Sequence, residues 1–366
     1  MTESTDVTIS LAPGHGALDQ SGGIGSPVSV MIRMSGGEPI AASLPLVLSV
    51  ERGGDASDLP TMTIASARAG GDWGASRTYP GDLFIGVSDG GKLEVINHVD
   101  LERYVGIVVA HELLPSFHEV SFRAGAIVAR TFAICEMRRM NRGRFDVRAT
   151  QGSQVYGGLT KDKDLGAGGA AARQTRGLVC TWTDAGGHRD VFTTFYSSVC
   201  GGVSRGASSH GGQAAIPPLR GGVACDFCRI APSSAYRWGP LELPFSELDA
   251  RLLRRRGGHG DQPLTGIEIL NASALGRVET IRVSRGDKEE IWPAEQFRLA
   301  VGSMDMRSTL FTLRQDEESL IFSDGRGFGH GLGLCQWGME GQARQGQDAG
   351  AILRYYYPGS ELTRVY

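Results

Sequence analysis

The chain has 366 residues and no apolar run approaching the roughly 20 residues that a membrane-spanning helix needs, so no membrane span is expected. It also lacks an excess of either charge. With 37 Lys and Arg against 40 Asp and Glu, the net charge of -3 gives no footing for a polyanionic partner such as nucleic acid. The first residues, MTESTDVTISLAPGHG, have neither a basic start nor an apolar core, so no signal peptide is visible there. Cysteine is sparse. Six residues, at 135, 180, 200, 225, 228 and 335, are too few to staple a chain of this length and do not decide its compartment.

Glycine, by contrast, is abundant: 53 residues is about twice the usual share and favours turns and tight loops over a helical bundle. Short alternating segments at 28–32 and 44–50 read as strands. Segments 83–87 and 93–96, joined across Asp89–Lys92, read as a hairpin. The chain is long enough for one large domain or two; residues 1–80 read as a β-rich region, with no linker long enough to mark them as an independent module, and 81–366 as the larger domain.

The stretch from Asp100 to Met140 predicts two helices. Asp100 is placed to cap the first, and Leu101, Tyr104, Val105 and Val108 recur at the spacing of one helical face. Pro115 marks the break, and Ser116 with Glu119 reads as a capping box opening the second helix. Val120, Ala124, Ile127, Thr131 and Ile134 then line its inner side. Glu112 sits at the junction between apolar neighbours, where burial disfavours the charged carboxylate and raises its pKa, as an acid catalyst near neutrality requires. The competing reading is a solvated Glu at a helix end.

Further along, Gln154 and Tyr156 offer an amide and a phenol of the kind a sugar cleft uses, unless Tyr156 simply packs. A helix is expected over 167–175, and 178–182 with 191–198 reads as a second hairpin leading to Ser197, Ser198 and the Gly201–Gly202 pair. A helix over 244–256, strands at 267–270 and 280–283, and a helix over 294–301 follow as scaffold. Cys225 and Cys228 have the spacing of half a zinc knuckle, and Cys200 with His210 would complete a tetrahedral shell. A Cys200–Cys228 disulfide and three unlinked thiols are the alternatives. Repeated glycines around His330 let a ligand or a second strand come close, although His330, Gln336 and Trp337 could equally be core. No Gly-Lys-Ser/Thr follows, so a phosphate-binding P-loop is rejected, and His111-Glu112 lacks the second His of a zinc hydrolase.

In four motifs the chain resembles the sporulation stage II protein D (SpoIID) family, which includes the LytB amidase enhancers. The first is carried by Asn97, Leu101, Glu102, Tyr104, Val108, Val109 and Glu112, with Leu113-Leu114 before Pro115 where Met-Pro is usual, and continues into Ala124, Ala126, Ala129, Arg130 and Thr131. The second is Thr150, Gln154, Tyr156 and Gly158. The third is Ser197-Ser198-Val199-Cys200-Gly201-Gly202, with Val199 where Thr is usual. The fourth runs from Gly325 to Met339, with Cys335 where Ser is usual, and on to Gly359. The resemblance covers about residues 80–364 and implies an α+β fold, a β-rich scaffold with a central helical pair carrying the catalytic Glu.

It further implies a peptidoglycan lytic transglycosylase that cleaves the MurNAc-GlcNAc β-1,4 bond of denuded glycan strands and leaves a 1,6-anhydro end. Glu112 is then the catalytic acid and base, and Arg130, Gln154, Tyr156, Ser197, Ser198, His330, Gln336 and Trp337 are the substrate-binding residues. No cofactor is required for catalysis, a structural zinc aside. The expected partners are glycan strands and, for a LytB-like member, a cell-wall amidase that the protein would enhance without cutting glycan itself. The expected location is the cell envelope.

Overall fold

The computed structural model describes residues 7–11, 29–34, 40–43, 46–48, 61–67, 73–88, 93–139, 143–150, 152–159, 165–207, 216–256 and 262–366. The chain divides into two compact units, residues 1–115 with 136–176, and residues 116–135 with 177–366. The fold is α+β, as the sequence implies.

In the first unit the strands are β1 (Val7–Leu11), β2 (Ser29–Met34), β3 (Ile40–Ser43), β4 (Leu46–Leu48), β5 (Thr61–Ala67), β6 (Trp73–Pro80), β7 (Asp82–Val87) and β8 (Leu93–His98). Among the described residues they form a sheet in the order β3-β2-β1-β5-β6, in which only β1 and β5 run parallel, and a second in the order β4-β7-β8. The strands expected at 28–32 and 44–50 fall on β2 and β4. The expected hairpin is the antiparallel pair β7–β8, with Leu83 opposite Asn97 and Ile85 opposite Val95; its turn, 89–92, lies outside the described residues. Period-two alternation puts Leu83 and Ile85 on one face, and both are fully buried.

The helix α1 (Leu101–Glu112) starts where expected: the Asp100 carboxylate accepts the amides of Glu102 at 3.0 Å and Arg103 at 3.2 Å, satisfying donors that have no partner within the helix. Its face of Tyr104, Val105 and Val108 is buried. Next in the chain come α2 (Glu119–Arg139) and α3 (Gly166–Gln174). Helices α1 and α3 pack at a distance only glycines permit, since a Cβ at Gly168 would lie 2.6 Å from the Gly106 carbonyl oxygen and 2.9 Å from the Ala110 amide. Those are backbone atoms that cannot swing aside. Gly168→Ala is therefore expected to destabilise the protein by about 1–3 kcal/mol through overpacking, read as a lower urea midpoint, despite the better helix propensity of Ala.

In the second unit the start of α2 departs from the expected capping box. The helix begins at Glu119, so Glu119 is its first residue and not its third. His118 stands in the cap position instead, its Nδ1 accepting the Val120 amide at 3.3 Å. Fully buried Glu340 accepts the His118 amide at 2.8 Å and the Ser121 hydroxyl at 2.7 Å. A carboxylate brought from far along the chain thus supplies the anion that a helix N-terminus favours. Val120, Ala124, Ile127 and Thr131 are buried as expected, and Ile134 is half-buried.

The elements that follow are β9 (Leu178–Thr183), β10 (Arg189–Val191), β11 (Tyr196–Ser197), α4 (Ser233–Tyr236), β12 (Arg237–Trp238), β13 (Leu241–Pro244), α5 (Phe245–Arg256), β14 (Leu264–Ala272), β15 (Val278–Arg285), β16 (Lys288–Pro293) and α6 (Ala294–Val301). The unit ends with β17 (Thr312–Gln315), β18 (Ser319–Ser323), β19 (Gly325–Arg326), β20 (Leu334–Cys335), α7 (Gln336–Arg344), α8 (Ala349–Tyr356) and β21 (Glu361–Arg364). The sheets β14-β15-β16 and β13-β18-β17, with α5 and α6, enclose a core of Leu248, Leu252, Ile281, Val283, Phe297 and Phe322. The expected hairpin of 178–182 with 191–198 forms only in part. β9 pairs with β10 on one side and β21 on the other, whereas Tyr196 and Ser197 leave it to pair in parallel with Leu334 and Cys335.

Candidate functional site

In the first unit, Glu112 is the last residue of α1 and is half-buried, and its Oε1 accepts the Val155 amide at 2.9 Å. Of its apolar neighbours in sequence, Val108, Val109 and Leu113 are buried, while Leu114 and Pro115 are exposed. The segment that supplies the Val155 amide is held on both sides. Gln154 is completely buried, with its Oε1 accepting the Tyr104 hydroxyl at 3.0 Å. The Tyr156 hydroxyl donates to Asn97 Oδ1 at 2.6 Å, and its ring stacks on Tyr104 with centroids 5.1 Å apart. Burial pushes both phenols well above the ordinary tyrosine range.

Gln154 and Tyr156 therefore do not present an amide and a ring face outward, as their types suggested; their polar atoms are spent in fixing the backbone that grips Glu112. Asn97 completes the brace by donating from Nδ2 to the carbonyls of Pro80 at 2.8 Å and Asp82 at 3.0 Å. Tyr156→Phe is expected to cost about 1–2 kcal/mol, since it leaves Asn97 Oδ1 without its donor in a part-buried position. Urea unfolding of the variant beside the parent checks this; an unchanged midpoint would mean that the hydroxyl does not brace the segment. By sequence, His111 is only half of a missing metal motif. Its exposed ring stands against Gly157, where a Cβ would lie 2.4 Å from Nε2, and its Nδ1 is 2.9 Å from the Ile107 carbonyl oxygen. The adjacency of His111 to Glu112 was the available signal.

In the second unit, Arg130 is fully buried and donates to the carbonyls of Leu178 at 3.0 Å and Ala126 at 3.4 Å. Thr131 beside it accepts the Cys180 amide at 2.9 Å. The pair zips α2 onto β9, which corrects the substrate-binding role expected of Arg130: the guanidinium has no open side from which to reach a ligand.

The remaining candidates are drawn together by strand pairing. The register places Ser197 opposite Cys335, Val199 and Phe328 exchange both backbone hydrogen bonds at 3.0 and 2.8 Å, and the Trp337 amide donates to the Ser198 carbonyl at 3.1 Å. Gly327, Gly329, Gly331 and Gly333 take φ values of 62° to 104°, the left-handed region that other residues resist, and a Cβ at Gly333 would lie 2.1 Å from the Phe195 carbonyl oxygen. The glycine spacing around His330 thus lets this loop lie close against 195–205. His330 is half-buried, and its Nδ1 accepts the Leu332 amide at 3.0 Å, which in the neutral ring leaves the proton on Nε2. Ser198 and Trp337 are half-buried, with the indole edge-on to Phe117 at 5.0 Å. Gln336 is 8% exposed, and the Ser197 hydroxyl is buried with no partner among the described residues.

Beside this site lie four buried thiols. The sulfur atoms of Cys200, Cys225, Cys228 and Cys335 are all within 4.8 Å of one another. The Cys200–Cys228 disulfide is not formed: all six cysteines are free, and these two sulfurs are 3.7 Å apart. His210 lies outside the described residues. The fourth member is Cys335, which by sequence is only a replacement for Ser.

The family model described as stage II sporulation protein (SpoIID) matches residues 89–182, the stretch holding Glu112, Gln154 and Tyr156. An uncharacterized protein of Brachyspira hyodysenteriae is 30% identical over 287 residues, covering 78% of this chain and 72% of that protein. Stage II sporulation protein D of Bacillus subtilis is 24% identical over 299 residues, covering 74% of this chain and 76% of its own length. The amidase enhancer of the same organism is 34% identical over 89 residues, which is 24% of this chain and 11% of that protein. The family model, the order of the four motifs and the extent of these matches together establish that the chain belongs to the SpoIID family.

Proposed function

We propose that this chain is a peptidoglycan lytic transglycosylase, acting on the MurNAc-GlcNAc β-1,4 bond of denuded glycan strands at the cell envelope, with the chemistry carried by region 81–366. A cell-wall-related function is supported by the family; the reaction is our reading. The observation that carries it is Glu112, a half-buried carboxyl at a helix end whose Oε1 is fixed by the Val155 amide. Glu112 protonates the leaving glycosidic oxygen and then takes the proton of the sugar's own 6-hydroxyl, which closes the 1,6-anhydro ring. A single carboxyl group suffices because the nucleophile belongs to the substrate, whereas an ordinary glycosidase needs two, about 5 to 9.5 Å apart. Glu119, the other candidate from sequence, is engaged with Arg123 at 3.2 Å in the first turn of α2. Gln154 and Tyr156 act by positioning Glu112, and Ser197, Ser198, His330, Gln336 and Trp337, gathered within the second unit, are the residues we assign to glycan binding there. No helix among the described residues is long and apolar enough to cross a membrane.

The match to an amidase enhancer supports a second reading, in which the chain binds glycan and stimulates a cell-wall amidase without cutting. Mass analysis of the products from purified, peptide-free glycan strands separates the two. Anhydro-ended fragments are the expected result; glycan retention without new ends, together with faster turnover by an added amidase, would replace the enzyme reading with the accessory one.

A further inference from the structure

We propose that Cys200, Cys225, Cys228 and Cys335 bind one zinc ion as a closed tetrathiolate that ties the Ser197–Ser198 strand to the start of α7, where Gln336 and Trp337 stand. The distances fit one ion. Zinc–sulfur bonds of about 2.3 Å in a tetrahedron hold the sulfurs about 3.8 Å apart. The Cys200–Cys228 separation is 3.7 Å, and all four sulfurs lie within 4.8 Å of one another. Sulfurs this close surround a single ion and leave no room for an iron–sulfur cluster. Four protein ligands fill a tetrahedral shell without an open position, so the site is structural and takes no part in bond cleavage.

The surroundings are those of metal-bound sulfur. Cys335 caps α7, and its sulfur receives the amides of Cys200 at 3.2 Å and Gly338 at 3.4 Å, at the helix end that favours negative charge. The Cys225 sulfur is 3.0 Å from the Tyr356 hydroxyl. Gly338 makes room for both, because a Cβ there would lie 2.0 Å from that hydroxyl and 2.4 Å from the Cys225 sulfur. Buried Arg277 donates to the Cys200 carbonyl at 2.6 Å and the Val203 carbonyl at 3.4 Å, placing a cation behind a site whose four thiolates exceed the charge of the ion by two. On loading, each thiol gives its proton to solvent and nothing is oxidised, so no co-reactant is needed.

Elemental analysis of the full chain, purified with zinc and without chelator, tests this. One zinc per chain is expected, retained in His210→Ala and Cys135→Ser and lost in Cys335→Ser, with cobalt substitution giving the absorption of a tetrahedral tetrathiolate. Should Cys335→Ser fail to fold, the zinc count of the parent and of His210→Ala still decides. A metal-free parent, iron in place of zinc, the mass deficit of a disulfide in the unreduced protein, loss of the ion in His210→Ala, or full retention in folded Cys335→Ser would each overturn the assignment. The readout is metal content, so it stands or falls independently of glycan cleavage.

Discussion

On the proposed reaction, Glu112→Gln should lower the release of anhydro-ended fragments from peptide-free glycan by about 100- to 10,000-fold, the range that a lost general acid and base commands. The amide keeps an oxygen where Oε1 accepts the Val155 amide at 2.9 Å, so helix α1 and the 152–159 segment retain their link and the urea midpoint stays near that of the parent. What the variant lacks is a dissociable proton at the leaving oxygen. Glu112→Ala removes the acceptor as well and should lower both stability and activity, which makes the Gln variant the sharper test. A Gln variant that still digests glycan at the parental rate would remove Glu112 from the chemistry. A parent that binds glycan and yields no new ends would make the comparison moot and favour the enhancer reading.

What could be read in the sequence follows from how local each cause is. The start of α1 was legible because Asp100 caps it from the adjacent position. The strands β7 and β8 were legible because their alternation and the Gly90-Gly91 pair in the sequence between them lie within one short stretch. The partners of Tyr196 and Ser197 were not, since a strand that leaves its hairpin neighbour for Leu334 and Cys335 carries no local mark of having done so. The substrate-binding role of Arg130 came from the resemblance, and nothing local in the sequence marks that β9 covers the guanidinium, which donates to the Leu178 carbonyl. The cysteine cluster was half legible. Cys225 and Cys228 announce themselves by spacing, but Cys335 joins them only through the strand pairing that sets it beside Cys200.

Glu340→Ala should lower stability by about 2–4 kcal/mol, the scale expected when a buried carboxylate that accepts hydrogen bonds is truncated and leaves a void. Glu340 is fully buried; its Oε2 accepts the His118 amide at 2.8 Å and the Ser121 hydroxyl at 2.7 Å, and its Oε1 accepts Arg344 Nε at 2.6 Å. Alanine strips the first turn of α2 of its anion, leaves the fully buried Ser121 hydroxyl without that acceptor and opens a void the size of the lost side chain. Arg344 is 53% exposed, so it turns to water and adds little to the loss. Glu119→Ala supplies the contrast. Its carboxylate is 69% exposed and, among the described residues, meets a surface partner, Arg123, at 3.2 Å, so its removal should change stability by less than about 1 kcal/mol. Urea unfolding of the two variants side by side decides which carboxylate starts the helix. If Glu119→Ala proves the costlier, the Ser116–Glu119 box forms in solution and Glu340 is a bystander; if Glu340→Ala does, the anion at the start of α2 comes from α7, which no reading confined to residues 116–119 could have found.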